Sequence, residues 1–358
     1  MQTPIFSNTN STSLSVIVGA EISSMRGSGI YSNGFWISYS SDGIDDPYQE
    51  FSYDTYLALF DEQGSFTANI RLNQAREGQN FTSFVQSIGD DLYVAFGDED
   101  KMEVFDLKLI GEDSKPKTIF LQPFGDKLFE QVFEYEGQVY LLSSSFTSSS
   151  YNGIDYSQPY QIFGDIDGYG TATTIYEVDL SGQEINAALN IHSYDTGWNG
   201  ADDFTLIGDT LFTVGSEKDN RFEASSGKDN VIITSVNLDN YSSEQHLIYE
   251  VNRADAIGQV FITAIGTGEL VVAWNENYSD GSGMGVYYTV YDPTSKEYSD
   301  KYAASSETRG DQYISELVSH DSRIFIISGT SVQEADLGGN LIGEPMEFSS
   351  EDRYVYMQ

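Results

Sequence analysis

The residues with the clearest chemical potential are carboxylates. Asp165 and Asp167 stand at alternate positions in Phe163-Gly164-Asp165-Ile166-Asp167-Gly168-Tyr169-Gly170. Alternating acids followed by glycine open calcium loops, because hard oxygen ligands must converge while glycine lets the chain turn. Tyr169 occupies the third ligand position, and no Glu stands where an EF-hand needs its bidentate ligand. A solvated Asp-Gly turn is the competing reading. Asp42-Gly43-Ile44-Asp45-Asp46 is a weaker candidate of the same kind, with Asp42 and Asp45 as ligands. Calcium is the cofactor both patterns imply. Trp198, beside Asn199 and Gly200, has the flat ring that stacks on a sugar, with Asp202 and Asp203 as polar neighbours.

Signals for catalysis are thin. The chain has no G-x-S-x-G elbow, no H-E-x-x-H and no P-loop. It has no cysteine, which excludes disulfides, thiolate metal sites and Cys nucleophiles. His192, His246 and His320 are its only histidines; they fall in different repeats and read as surface residues rather than bases. Paired carboxylates of the glycosidase type can be drawn anywhere among 56 acids, so any one pair carries little weight.

The 358 residues hold 17 Lys and Arg against 56 Asp and Glu, a net charge of −39. Phosphate binding needs clustered cations, so nucleic acid is excluded as a partner and anionic membrane surfaces are disfavoured. No run of about 18 apolar residues is present to span a bilayer. With 25 Tyr and 21 Phe the chain has enough apolar bulk for a large core. The acid itself has three readings: a halophile-like coat, a cation-collecting surface, or plain like-charge repulsion on an extracellular bacterial protein. Met1–Phe6 leads into a polar stretch, Ser7–Ser13, and no targeting segment stands out.

The elements that would carry these groups are strands. Short apolar runs recur at 35–39, 92–96, 139–142, 211–214, 270–274 and 324–327, each after a turn-forming residue and rich in β-branched and aromatic side chains. Upstream of them lie glycines at 27, 78, 125, 200, 258 and 310. A third strand follows each run and closes on an acidic or amide residue, and a weaker fourth strand comes next, over Lys301–Ala304 in blade five and Met346–Phe348 in blade six. Four strands per unit of roughly 50 residues is the rhythm of a β-propeller blade. One blade cannot bury both faces, so blades must stack. The expected fold is therefore all-β, a six-bladed β-propeller over the single domain 1–358. Its blades fall near 22–73, 78–121, 125–191, 200–251, 258–304 and 310–348. Extra strands at Leu14–Val18 and Arg353–Met357 are expected to close the ring. A seven-bladed propeller built from those terminal strands is the rival count, and a large β-sandwich ranks behind both.

Propeller geometry puts the connections between second and third strands on one rim. In blades one to five these connections are long and acidic. They are assigned Asp42, Asp45, Asp46, Glu50 and Asp54; Asp98, Glu99 and Asp100; Asp155, Asp165 and Asp167; Glu217, Asp219, Glu223 and Asp229; and Glu276 and Asp280. The loops leading into the first strands add Asp202 and Asp203. Long loops on a rigid scaffold are the usual seat of binding.

Blades five and six carry Leu270-Val271-Val272-Ala273-Trp274, Ser279-Asp280-Gly281-Ser282-Gly283, Tyr291-Asp292 and Gly310-Asp311-Gln312-Tyr313 in order. This succession resembles the repeats of large secreted bacterial proteins, including RTX-type adhesins and calcium-associated surface proteins. Blade one matches through Phe35-Trp36, Ser41-Asp42-Gly43 and Phe60-Asp61; about a third of the chain is covered well. The glycine-rich calcium nonapeptides and a recognisable secretion tail are absent, as are the Asp boxes of sialidases. The resemblance implies a secreted or cell-surface bacterial setting and a binding role. The expectation is a monomeric, non-enzymatic adhesion module without membrane insertion, whose acidic rim takes calcium and a carbohydrate or surface-protein partner. The alternative is a polysaccharide hydrolase or lyase with an acid-base pair in the central funnel.

Overall fold

The computed structural model describes residues 24–42, 53–72, 82–96, 101–110, 116–120, 127–148, 169–181, 184–191, 201–218, 229–251, 257–277, 283–305, 312–320, 322–328 and 331–347. Every regular element among them is a strand. Blade one is β1 (Ser24–Tyr31), β2 (Gly34–Asp42), β3 (Tyr53–Asp61) and β4 (Phe66–Arg71). Blade two is β5 (Thr82–Ile88), β6 (Asp91–Phe96), β7 (Lys101–Asp106) and β8 (Lys117–Phe120). Blade three is β9 (Lys127–Tyr135), β10 (Gln138–Ser148), β11 (Tyr169–Asp179) and β12 (Glu184–Ile191). Blade four is β13 (Asp203–Ile207), β14 (Thr210–Lys218), β15 (Asp229–Asn237) and β16 (Ser243–Val251). Blade five is β17 (Ile257–Ala264), β18 (Leu270–Asn277), β19 (Met284–Asp292), β20 (Glu297–Tyr298) and β21 (Tyr302–Ala303). Blade six is β22 (Ile314–His320), β23 (Arg323–Ser328), β24 (Ser331–Asp336) and β25 (Leu341–Glu347). Within each sheet the strands pair in chain order, except that β21 pairs with β19. The chain is an all-β, six-bladed β-propeller, as the repeat rhythm predicts. The terminal strands expected at Leu14–Val18 and Arg353–Met357 lie outside the described residues.

Two compact units divide the chain. One comprises Met1–Pro123, Leu180–Glu184 and Phe348–Gln358; the other comprises Phe124–Asp179 and Ile185–Glu347. In the first, Trp36, Leu57 and Leu59 of blade one pack with Val85, Leu92 and Val94 of blade two. Trp36 is fully buried, and its indole Nε1 donates to Ser87 Oγ of blade two at 3.2 Å. The other face of blade one buries Ile37, Tyr39, Ala58 and Phe60.

In the second unit, β18 shows why the apolar runs do not alternate. Leu270, Val272 and Trp274 pack with Val214, Val231 and Ile233 of blade four. Val271 and Ala273 pack with Ile314, Ile324 and Ile326 of blade six. A strand buried on both faces has no solvent face to make polar. Each large side chain so buried contributes on the order of 1.5–3 kcal/mol. Trp36 and Trp274 are both fully buried.

Tight turns join most of the strands at one end of each sheet. Glu136 and Gly137, both left-handed at φ 49° and 79°, join β9 to β10 as a two-residue hairpin turn requires. The acid that closes the third strand is a turn cap. Asp61 Oδ1 accepts from Gln63 N and Ser65 N at 3.0 and 2.8 Å. Asp336 Oδ1 accepts from Gly338 N and Asn340 N at 2.9 and 2.8 Å. Asp292 Oδ1 accepts from Thr294 N at 2.8 Å. These bonds satisfy backbone donors the turn leaves over.

Two strands differ from expectation. The outer strand of blade five, expected over 301–304, is split into β20 and β21. Ser299 interrupts it: its Oγ accepts from Val290 N at 3.0 Å, where a backbone carbonyl would complete the ladder. The outer strand of blade six starts at Leu341, before the expected Met346. Its pairing shifts register between Val332 and Glu334, which hides the two-residue alternation.

Candidate functional site

The connections between second and third strands leave the end of each sheet opposite those turns. They run over 43–52, 97–100, 149–168, 219–228, 278–283 and 329–330. The first five carry acid and the sixth carries none. Asp42 is the last residue of β2, opposite Tyr53 of β3. Asp45, Asp165, Asp167 and Trp198 lie outside the described residues. Among the described residues no three His, Cys, Asp or Glu side chains group as metal ligands do.

Five acids assigned to these loops stand in strands instead. Asp42, Asp54, Glu217, Asp229 and Glu276 lie in β2, β3, β14, β15 and β18. Pairing runs past the apolar core into polar residues, because a ladder is held by backbone bonds whatever its side chains are. Lys218, for example, still pairs with Asp229.

Asp202 and Asp203 are brought together, and their carboxylates reach the next blade. Asp202 Oδ2 accepts from Val260 N at 3.0 Å, and Asp203 Oδ2 accepts from Ile262 N at 2.9 Å. Asp203 Oδ1 also accepts from Phe204 N at 2.8 Å. The residue as a whole is half-buried, but protein encloses its carboxyl group. That desolvation pushes its pKa up to about 6, against the opposing pull of these N–H donors; the Glu316 charge adds to the rise.

The same device recurs at blade junctions in this unit. Asp229 Oδ2 accepts from Ile257 N at 2.9 Å, Asn275 Oδ1 from Ile314 N at 2.9 Å, and Thr173 Oγ1 from Ala201 N at 3.0 Å. Each acceptor belongs to one blade and each donor leads into the first strand of the next. These donors lie where no ladder partner reaches, so the side chain of the preceding blade satisfies them. No motif marks them; the signal is a polar residue at the far end of an apolar strand.

Glu276 is also engaged. Lys301 Nζ lies 2.8 Å from its Oε2 and 2.7 Å from Tyr249 Oη, and over the rings of Tyr249 and Tyr287 at 4.4 and 4.3 Å. Trp274 Nε1 donates to the same carboxylate at 3.3 Å. A cation held by two π-faces and a carboxylate ties blade four to blade five.

A second group that motif searches passed over lies at the tight-turn end. Lys296 Nζ sits 2.6 Å from Glu244 Oε2, and His246 Nε2 lies 3.5 Å from Glu244 Oε1. Lys296 holds Glu244 below the usual carboxylate range. Lys296 itself has φ 61°, a conformation that costs a non-glycine residue about 1–2 kcal/mol. The tighter turns of blades one and six place a glycine in the left-handed region, Gly64 and Gly339, with N–H groups that reach three residues back to Asp61 and Asp336 carbonyls; the Lys296 N–H reaches four back, to Asp292. In blade four the position is Tyr241, whose hydroxyl donates to Glu177 of blade three.

No family model matches the chain, and no curated protein does. Solved structures do resemble it. An ulvan lyase of a polysaccharide-lyase family, bound to -[GlcA(1-4)Rha3S]-, has a TM-score of 0.51 at 12% identity, over 88% of this chain and 81% of that one. A putative 6-phosphogluconolactonase from Bacteroides fragilis has a TM-score of 0.50 at 12% identity, over 89% and 83%. The WD40 domain of Toxoplasma gondii coronin gives 0.49 at 12% identity, over 90% and 70%. The first two are propellers, and at this identity the likeness concerns the fold alone.

Proposed function

We propose that this chain is a non-enzymatic extracellular binding propeller of bacterial surface-protein type, whose long acidic connections take calcium and present a face for carbohydrate or a protein partner. One observation carries this reading. Acids at the tight-turn end cap turns, whereas the longest second-to-third connections, over 43–52, 149–168 and 219–228, hang acid from the opposite end of their sheets. Such loops on a stiff scaffold are free to specialise in binding. Asp165 and Asp167 are the first ligands, with Asp42 and Asp45 as a second pair. Trp198 supplies the stacking ring.

Calorimetric titration of the full chain with calcium tests the reading. A saturable calcium-specific heat is expected, weakened at least about tenfold by Asp165→Asn with Asp167→Asn. Heats no different from magnesium at equal ionic strength would overturn it. The resemblance of the fold to a lyase propeller keeps a polysaccharide-acting enzyme as the second reading. Turnover of a glycan panel, abolished by one carboxylate substitution, would favour that enzyme instead.

A further inference from the structure

A cleft of about 340 Å³ opens between blades four and five, at the end of the sheets away from the acidic connections. Its apolar wall includes Ile207, Phe212 and Tyr291; its polar wall is Glu244, His246 and Lys296. The volume is at the small end of the range that seats small ligands. The apolar wall continues the core between the blades, to which Phe212 and Tyr291 belong. The polar wall is contributed from both blades: Glu244 and His246 from β16, and Lys296 from the turn after β19.

Lys296 marks the cleft as more than a seam. Its left-handed backbone would suit glycine, yet lysine stands there, as Tyr241 does in the blade-four turn of the same length. An exposed ion pair with Glu244 is a weak return for such strain. Strained residues that persist are a recognised sign of function when the side chain is the reason to keep them. Here the side chain sets an ammonium against a carboxylate at the mouth of a half-apolar cleft, with an imidazole beside them.

We propose that this cleft binds a neutral sugar ring. A carboxylate and an ammonium side by side accept from and donate to adjacent hydroxyls of a pyranose at once, and charged partners make the stronger hydrogen bonds. Half-buried Ile207 and Pro293 offer the apolar surface that meets the ring's C–H face. A uronate fits less well, since its carboxylate would compete with Glu244 for Lys296. This site is independent of the calcium reading and lies at the other end of the blades.

The test is ligand-observed NMR and calorimetry on the full chain with excess EGTA. The probes are methyl glycosides of glucose, galactose and mannose, with glucuronate as the charged comparison. Saturable binding of at least one neutral glycoside is expected. Lys296→Met and Glu244→Gln should each weaken it about tenfold or more while the thermal transition stays within a few degrees. Asp165→Asn with Asp167→Asn should leave it unchanged, which separates this site from the calcium site. Three results would overturn the proposal: no saturable binding of any neutral glycoside; binding indifferent to both cleft variants; or tighter binding of glucuronate, strengthened by Glu244→Gln.

Discussion

Asp203 shows how a single carboxylate can serve the scaffold and report on it. Its pKa is raised from 3.8 to about 6, so the folded chain holds this proton more tightly than the unfolded chain does. Stability from this group therefore rises as pH falls through about 6 and levels off below about 4. Acidifying from about pH 7 to 4.5 should add about 2 kcal/mol through this residue. Protonating other acids relieves repulsion in the same direction, so the comparison must be with Asp203→Asn. Urea melts should show the wild type gaining more than the variant; equal gains would refute the assignment. Asn275 makes a second case. It is 3% exposed, and its Oδ1 takes the Ile314 N–H. Asn275→Ala should cost about 1–3 kcal/mol by leaving that buried donor unsatisfied. A denaturation midpoint unchanged from wild type would contradict the bridge.

Among the elements, the hairpin of β1 and β2 depends on Gly34. Its φ is 149°, and a Cβ there would lie 1.9 Å from the Phe60 carbonyl oxygen on β3. Gly34→Ala should therefore destabilise blade one by about 2 kcal/mol or more, read as a fall in the thermal midpoint. Much at this scale was legible in the sequence. Second strands such as 270–274 announce themselves because both faces are buried, and third strands because an Asx turn must end them. Outer strands were harder to place. They pack on one side only, and Ser299 or a shifted register can break their alternation. The side-chain bridges between blades were illegible for another reason. Asp202 and Asp203 looked like ligands by residue type, and nothing local says that a backbone N–H some 58 residues on is their partner. Lys296 was hidden in the same way, since a left-handed lysine follows from the geometry of its turn rather than from a motif.

Across the whole molecule, the charge of −39 is not one phenomenon. Some of it caps turns, some joins blades, and Glu276 and Glu244 are paired with lysines. Five second-to-third connections also carry acid, and on these the proposed function rests. If calcium binds there in the folded state alone, calcium at about 100 times its dissociation constant should add about 2.7 kcal/mol per site. A thermal midpoint that calcium raises no more than sodium at equal ionic strength would show screening of repulsion instead. The most direct test is anomalous X-ray diffraction from crystals grown with calcium. An anomalous peak surrounded by six or more oxygens within about 2.3–2.6 Å, including those of Asp165 and Asp167, is the predicted result. Calcium-saturated crystals with those carboxylates ordered and no peak beside any of the five connections would contradict the account.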